Sequence, residues 1–485
     1  MSSSILVVND GMDQQSGLDT STSYQTFGRN SGRRHLSQSS SFGDSAGGMA
    51  RSLTESLRNS LSYDGERVSI RDMGGQSSIP KSTANLIKNL VGAGVLALPA
   101  GLASFADTPS AVVNATCLLV VMGIVFGYFF QLIAKTCSLT YSVTFREVWE
   151  DTMGNEGAST VSVVNMVKPA LGNLAYSMIL ADTFQSLFHT VGINVTRTLS
   201  LVLVTVIGIL PLCLMKNLDA LAPFSVLGTA GIILFAFCMT VRYLDGSYNA
   251  ALDGRFLNDL EIQYQPQFGD YNGAWTSAVL IFAAMSFEAY VAHYNAPRFM
   301  AELKEANMHR FRIVVGNAFG LSTLIYVWIT AMGFLTFGAN CNGCILNNYS
   351  TNDNLATISR VAIAFSILFT YPITFMGFRD GLMDVIELPQ ERQTSTNINI
   401  ISIFLLLLVT ILAAICKDLG SINAVGGGTL ATLIVFVFPS VMYRKVIIEM
   451  PSPGEKREVK LVFALMILGV IMGFIGVVVE LKRSS

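Results

Sequence analysis

Charge is scarce in this chain. Asp, Glu, Lys and Arg make up 13% of its 485 residues, about half of the roughly 25% usual in soluble domains. The formal net charge of −2 gives no reason to expect nucleic acid as a partner. Histidine is scarcer still, with four residues. None stands in an HExxH pattern and no GxSxG elbow occurs, which argues against a membrane-embedded hydrolase or acyltransferase; no enzymatic activity, cofactor or metal site is expected. Of seven cysteines, Cys117, Cys137, Cys213, Cys238 and Cys416 lie in or beside apolar runs. Only Cys341 and Cys344 sit in a polar loop, where they can form a short disulfide; two Cys without further Cys or His nearby make a poor zinc site. Residues 1–80 lack any long apolar run, so no secretory signal peptide is expected.

What the chain has instead is apolar sequence: 51% of it is hydrophobic. Eleven long runs, each near the roughly 20 residues that cross a bilayer as helix, fall at about 83–105, 112–138, 169–192, 197–215, 221–242, 273–295, 311–337, 355–377, 398–416, 420–443 and 459–480. The pattern predicts an all-α polytopic membrane protein of eleven transmembrane helices, with residues 81–485 as one transmembrane domain. Residues 1–80, rich in Ser, Gly and Arg without apolar periodicity, read as a disordered cytoplasmic tail. Within it, Arg33-Arg34-His35-Leu36-Ser37 fits a kinase site and Tyr24-Gln25-Thr26-Phe27 a sorting signal, with an inert solvated tail as the alternative.

An odd number of spans puts the termini on opposite sides. With the amino terminus inside, the inner loops carry Arg146, Lys168, Lys216, Arg298, Lys304, Arg310, Arg379, Arg392, Arg444, Lys445, Lys456 and Arg457. The outer loops carry Arg197, Arg255 and Lys417, and the short carboxyl-terminal tail with Lys482 and Arg483 is the mild exception to the positive-inside pattern. Glycosylation sequons agree: Asn194-Val195-Thr196 and Asn348-Tyr349-Ser350 fall in outer loops, and Asn114-Ala115-Thr116 at a span edge. Asn348 is the best acceptor expected.

The first run is interrupted by Val91-Gly92-Ala93-Gly94-Val95-Leu96-Ala97-Leu98-Pro99. Asn85, Lys88, Asn89 and Gly92 share one helical face. A Lys at mid-span costs about 2.5–3.5 kcal/mol on insertion scales, so Lys88 should face the bundle and find a partner. Gly92 and Gly94 permit backbone shapes closed to other residues, and Pro99 frees the carbonyl of Val95. The expected result is two half-helices whose inner ends point at a site, amides receiving a carboxylate and freed carbonyls an ammonium or cation. Close packing is the structural alternative.

The third run aligns Asp182, Gln185, Ser186 and His189 on one face, with Asp182 the obvious acidic partner for Lys88 unless it forms a purely structural pair. In the sixth, Glu288 and His293 are five apart, and an unwound middle would bring both to one cavity. Glu288 is a proton-relay candidate, while His293 can equally snorkel to the inner surface, and Pro297 ends the span. The eighth run places Ser359, Ser366 and Thr370 in a hydroxyl stripe fit to coordinate a cation or to bond between helices.

The stretch Gly92-Ala93-Gly94-Val95-Leu96-Ala97-Leu98-Pro99 resembles the first-span signature of the amino acid/auxin permease family. The resemblance continues through His293-Tyr294-Asn295-Ala296-Pro297 with Glu302-Leu303-Lys304, Leu335-Thr336-Phe337-Gly338, Leu346-Asn347-Asn348-Tyr349-Ser350, Tyr371-Pro372, Phe378-Arg379, Gly426-Gly427-Gly428 and Phe438-Pro439. It covers about residues 80–480 and is strongest toward the sodium-coupled neutral amino acid and vacuolar amino acid transporter branches. It implies eleven spans, a cytoplasmic amino terminus and a LeuT-type 5+5 inverted repeat plus one extra helix. It also implies that substrate is held by spans one and six, at Gly92, Ala93, Gly94, Val95, Ser286, Ala289 and Tyr290.

Lys88 departs from the pattern. Sodium-coupled relatives carry an Asn there that helps hold sodium, and proton-coupled relatives often carry Lys. The expectation is a secondary active transporter of small neutral amino acids in the plasma or vacuolar/endolysosomal membrane, coupled to H+ or facilitative. Lys88, Asn89, Asp182, Glu288, His293, Ser366 and Thr370 are its candidate coupling residues. A sodium-coupled symporter and an amino acid sensor without net transport are the alternatives.

Overall fold

The computed structural model describes residues 75–142, 144–215, 218–416, 426–449 and 453–484. The tail motifs at 24–27 and 33–37, together with Lys216 and Lys417, lie outside the described residues. Among the described residues there is no β-strand, only three isolated bridges.

Helix α1 (Ile79–Leu90) starts with a proline in its first turn, where a missing N–H costs nothing. Residues 91–93 break it, and α2 (Gly94–Ala103) continues at an angle of 47°. Next come α3 (Ala111–Thr140), a short α4 (Phe145–Met153) opened by a Thr144/Glu147 capping box, and α5 (Ala158–Thr190). They are followed by α6 (Arg197–Cys213), α7 (Leu218–Leu244), and the broken pair α8 (Val279–Tyr290) and α9 (Ala296–Glu302). The order ends with α10 (Met308–Phe337), α11 (Asn354–Val385), α12 (Ser395–Ile415), α13 (Gly428–Ile448) and α14 (Pro453–Ser484). Side-chain caps from Asn307, Asp353 and Thr394 fix where α10, α11 and α12 begin.

Seven of these helices are long and apolar enough to cross a membrane, and the bent α1/α2 pair makes an eighth. Helical segments stand at all eleven expected positions. The third, fourth and sixth fall short of that measure, since α5 is diluted by Lys168, Asp182 and its amides, α6 is short, and α8/α9 is interrupted. Large apolar side chains such as Ile124, Ile207, Phe237, Leu324, Phe404 and Phe474 point outward, the belt of a multi-pass membrane protein.

Inside, α11 packs along α5 and α7, α10 along α3 and α1, and α8 between α2 and α14. The last helix is tied in by Lys135, whose ammonium meets Glu458 at 2.8 Å and Tyr443 at 2.6 Å, with the Tyr128 hydroxyl donating to Glu458 at 3.0 Å.

Both ends of the bundle are laced. On the side where α1 begins, the N side, Ser77 pairs with Leu303 through Ser77 N to Glu302 O (3.0 Å) and Lys304 N to Ser77 O (2.9 Å). Arg298 is ion-paired to Asp380 there, and Arg146 donates to the Asp384 carbonyl at 2.7 Å and to Glu387 at 2.6 Å. On the far side, Arg242 is gripped by both oxygens of Asp353, at 2.8 and 2.5 Å, and by Asp245 at 2.7 Å. Tyr248 adds a hydrogen bond to Asp353 at 3.0 Å.

The far-side loop corrects two expectations. Asn348 is fully buried; its amide donates to Asn340 O at 2.8 Å and accepts from Asn342 N at 2.8 Å. An amide so occupied is not presented as a glycan acceptor, whereas Asn194 and Asn114 are exposed. Cys341 and Cys344 are free thiols, Cys341 Sγ lying 3.6 Å from the Gly333 carbonyl. Burial pushes both thiols up, Cys344 to about 12.

Candidate functional site

At the first break, the helical hydrogen bonding of α1 ends at Val91, and Gly92 N turns back to Leu90 O at 2.9 Å. At the second, α8 stops at Tyr290, Val291 is extended, and one tight turn, His293–Asn295, leads to α9. Pro297 sits in the first turn of α9, so it starts the second half-helix and does not end the span as the sequence suggested. The two breaks touch. An added methyl on Gly94 would lie 2.8 Å from Ala289 Cα, so only glycine allows this crossing.

One phenol joins the loose ends. Tyr326 of α10, fully buried, places its hydroxyl 2.7 Å from the Leu90 carbonyl and 2.6 Å from the Ala289 carbonyl. Its single proton thus serves acceptors from both broken helices. Sequence reading missed it, although a lone Tyr in an apolar run is a hydroxyl in need of a partner. Tyr326→Phe should lower stability by about 1–3 kcal/mol through two under-satisfied carbonyls. A wild-type unfolding midpoint for the detergent-solubilised variant would show that the bridge carries nothing.

Between the breaks lies a small polar cavity of about 30 Å³ whose walls include Asn89, Gly92, Ala93, Gly94, Lys168, Tyr176, Glu288 and Tyr294. It has room for about two waters. Lys168, expected in a loop, lies within α5; it and Glu288 form an ion pair at 2.7 Å, with side-chain exposures of 3% and 9%. Among the described residues Glu288 Oε2 and Asn89 Nδ2 have no hydrogen-bond partner, while Asn89 Oδ1 accepts from the Tyr294 hydroxyl at 3.4 Å.

Lys88 is fully buried and is not part of the cavity wall. Its stem crosses α7 at Gly228, where an added methyl would lie 2.6 Å from Cε, and its ammonium donates to Ser366 Oγ at 2.5 Å. Among the described residues no carboxylate lies within ion-pair reach of it. The expected partner, Asp182, is half exposed and bound to Arg197 at 2.6 Å, because α5 carries it toward the far side, where α6 begins.

Other expected site residues part company with the cavity. His293 is boxed in by Phe126, Phe130 and Phe319, with Nε2 2.9 Å from Phe126 O, so Glu288 and His293 do not meet at the cavity. Ser286 donates to Phe282 O (2.7 Å) and Thr370 to Ser366 O (2.8 Å), each within its own helix. Tyr290 turns toward Leu119 O (3.0 Å) and Thr323 (2.8 Å). Val95, Ser286, Ala289 and Tyr290 are absent from the cavity wall, whereas Gly92, Ala93 and Gly94 form part of it.

Tyr294 also lines a second cavity, of about 250 Å³, that reaches the N side past Arg298, Glu302, Asp380 and Asp384. A far-side cavity of about 290 Å³ beside Arg242 and Tyr248 shares no wall with the central one.

A helical bundle with two broken helices, five spans apart, meeting around a polar cavity is a transporter bundle of the LeuT type. The fold is shared with MhsT in complex with L-phenylalanine (TM-score 0.55, 11% identity, 83% of this chain and 99% of that one). It is shared equally with Mhp1, a nucleobase-cation-symport-1 family transporter (TM-score 0.53, 12% identity, 86% and 94%). The chain belongs to the transmembrane amino acid transporter family, whose model, "Transmembrane amino acid transporter protein", matches residues 75–480. Similar proteins include "Putative sodium-coupled neutral amino acid transporter 11" of Danio rerio, 26% identical over 82% of this chain and 87% of that protein. "Vacuolar amino acid transporter 7" of Saccharomyces cerevisiae is 26% identical over 64% and 60%.

Proposed function

We propose that the protein is a secondary active transporter of small neutral amino acids, working by alternating access around its two broken helices and coupled to protons in place of sodium. The carrying observation is the contracted polar cavity between the breaks, whose walls offer backbone from Gly92–Gly94 and charge of both signs. The similar proteins, named as neutral and as vacuolar amino acid transporters, support the substrate class and make a vacuolar membrane as reasonable as the plasma membrane. The N side is then the cytoplasmic one.

Coupling rests on Lys88. Its ammonium already occupies the place between α1 and the Ser366 hydroxyl where a cation would sit. A sodium ion about 4 Å from it would be repelled by about 4 kcal/mol at an effective dielectric near 20. Of the three titratable groups expected to carry a proton, Glu288 alone borders the cavity. The name of the Danio rerio protein favours sodium coupling as the second reading.

Proteoliposomes separate the two. Uptake of radiolabelled alanine should persist when choline replaces sodium and should follow an imposed pH gradient. Strict sodium dependence without a pH effect would reverse the assignment, and indifference to both would leave facilitated diffusion.

A further inference from the structure

We propose that Lys168 and Glu288 together receive the two charged ends of a zwitterionic substrate, Lys168 taking the carboxylate and Glu288 the ammonium. This rests on the transport reading and gives α5, which also supplies Gly172, Ala175 and Tyr176 to the wall, a charged role at the site through Lys168. Both side chains border the central cavity, and both are more than nine-tenths buried. They hold each other at 2.7 Å through Oε1; among the described residues Oε2 has no hydrogen-bond partner.

A single buried charge costs several kcal/mol, and here each residue offsets that cost with the other's opposite charge. In the empty site each neutralises the other. A zwitterion brings one charge of each sign, so its carboxylate can take the Lys168 ammonium while its own ammonium takes the open oxygen of deprotonated Glu288. The site then holds two pairs where it held one, and its net charge stays zero. A ligand with only an amine or only a carboxylate leaves one charge unmatched. The pair therefore selects neutral α-amino acids by subtraction: it admits what brings both charges. The wall around the pair is made partly of small residues, Gly92, Gly172 and Ala175.

The test uses the full chain in proteoliposomes, with alanine counterflow as probe and ethylamine, which is alanine without its carboxylate, as competitor. In wild type, ethylamine should not compete. Lys168→Met should lower alanine counterflow by about tenfold to a hundredfold, the worth of one charge-assisted hydrogen bond, and should let ethylamine bind, measured as protection against thermal unfolding in detergent. The double variant Lys168→Met/Glu288→Gln guards against a folding defect. It should regain wild-type thermal stability, because no charge is left unpaired, while alanine counterflow stays lost. A purely structural ion pair predicts the reverse, with counterflow returning together with stability, and that result overturns the proposal. So does wild-type counterflow by Lys168→Met. A wild-type protein that neither moves nor binds any amino acid would instead overturn the transport reading on which the proposal stands.

Discussion

Gly94→Val should abolish amino acid uptake while the protein still inserts and reaches its membrane. The added Cβ would stand 2.8 Å from Ala289 Cα and 3.1 Å from Ala289 N, closer than non-bonded atoms tolerate. The obstacle is backbone at the second break, so no side-chain rotation relieves it. Overpacking a core costs about 1–3 kcal/mol, and here the strain falls on the contact that sets the two half-helices against each other. Gly94→Ala, which brings the same Cβ, should already lose most uptake, and Gly94→Val all of it. Normal uptake by correctly inserted Gly94→Val protein would remove this crossing from the mechanism.

Asp353→Ala should be the most destabilising of the ion-pair variants, by about 3–5 kcal/mol, the usual cost of stripping one partner from a buried pair. Asp353 is fully buried, holds Arg242 with both oxygens, accepts from Tyr248 and caps α11 through Leu355 N at 2.8 Å. Its loss leaves Arg242 with Asp245 alone, a carboxylate that is about one-third exposed. The readout is the unfolding midpoint in detergent with cell-surface yield. Arg242→Leu/Asp353→Leu should recover part of the loss, and a single variant as stable as wild type would show that the far-side tie is ornamental.

The sequence makes the two breaks legible because Gly, Pro and a stranded Lys are rare company within an apolar run. The half-helices appear where that reasoning puts them, and Gly92–Gly94 border the cavity as expected. Partners were harder. Asp182 was paired with Lys88 on charge alone, but a helix of 33 residues (α5) carries its polar groups to different depths. Lys168, which borders the cavity, reads as a loop residue when the third span is drawn from residue 169, whereas the helix begins at Ala158. Ser286 and Thr370 offered hydroxyls that their own helices had already claimed, a local competition that spacing cannot reveal. Asn348 matched a sequon whose asparagine folds inward.

Tyr294 has a consequence for how affinity will be measured. Its ring lies against Gly377, and it is wall to both the central cavity and the N-side vestibule. Toward the far side no wall is shared, and just past the end of α2 the Phe105 ring packs on Phe282 of α8, the centroids 5.9 Å apart. One rotamer change is a smaller task than parting two helices. Under alternating access the unloaded molecule then dwells facing the N side, and a ligand offered from the far side meets only the minority population. Its apparent dissociation constant is the intrinsic one divided by that minority fraction. The same site, with the same contacts, will thus bind more weakly from one face of the membrane than from the other.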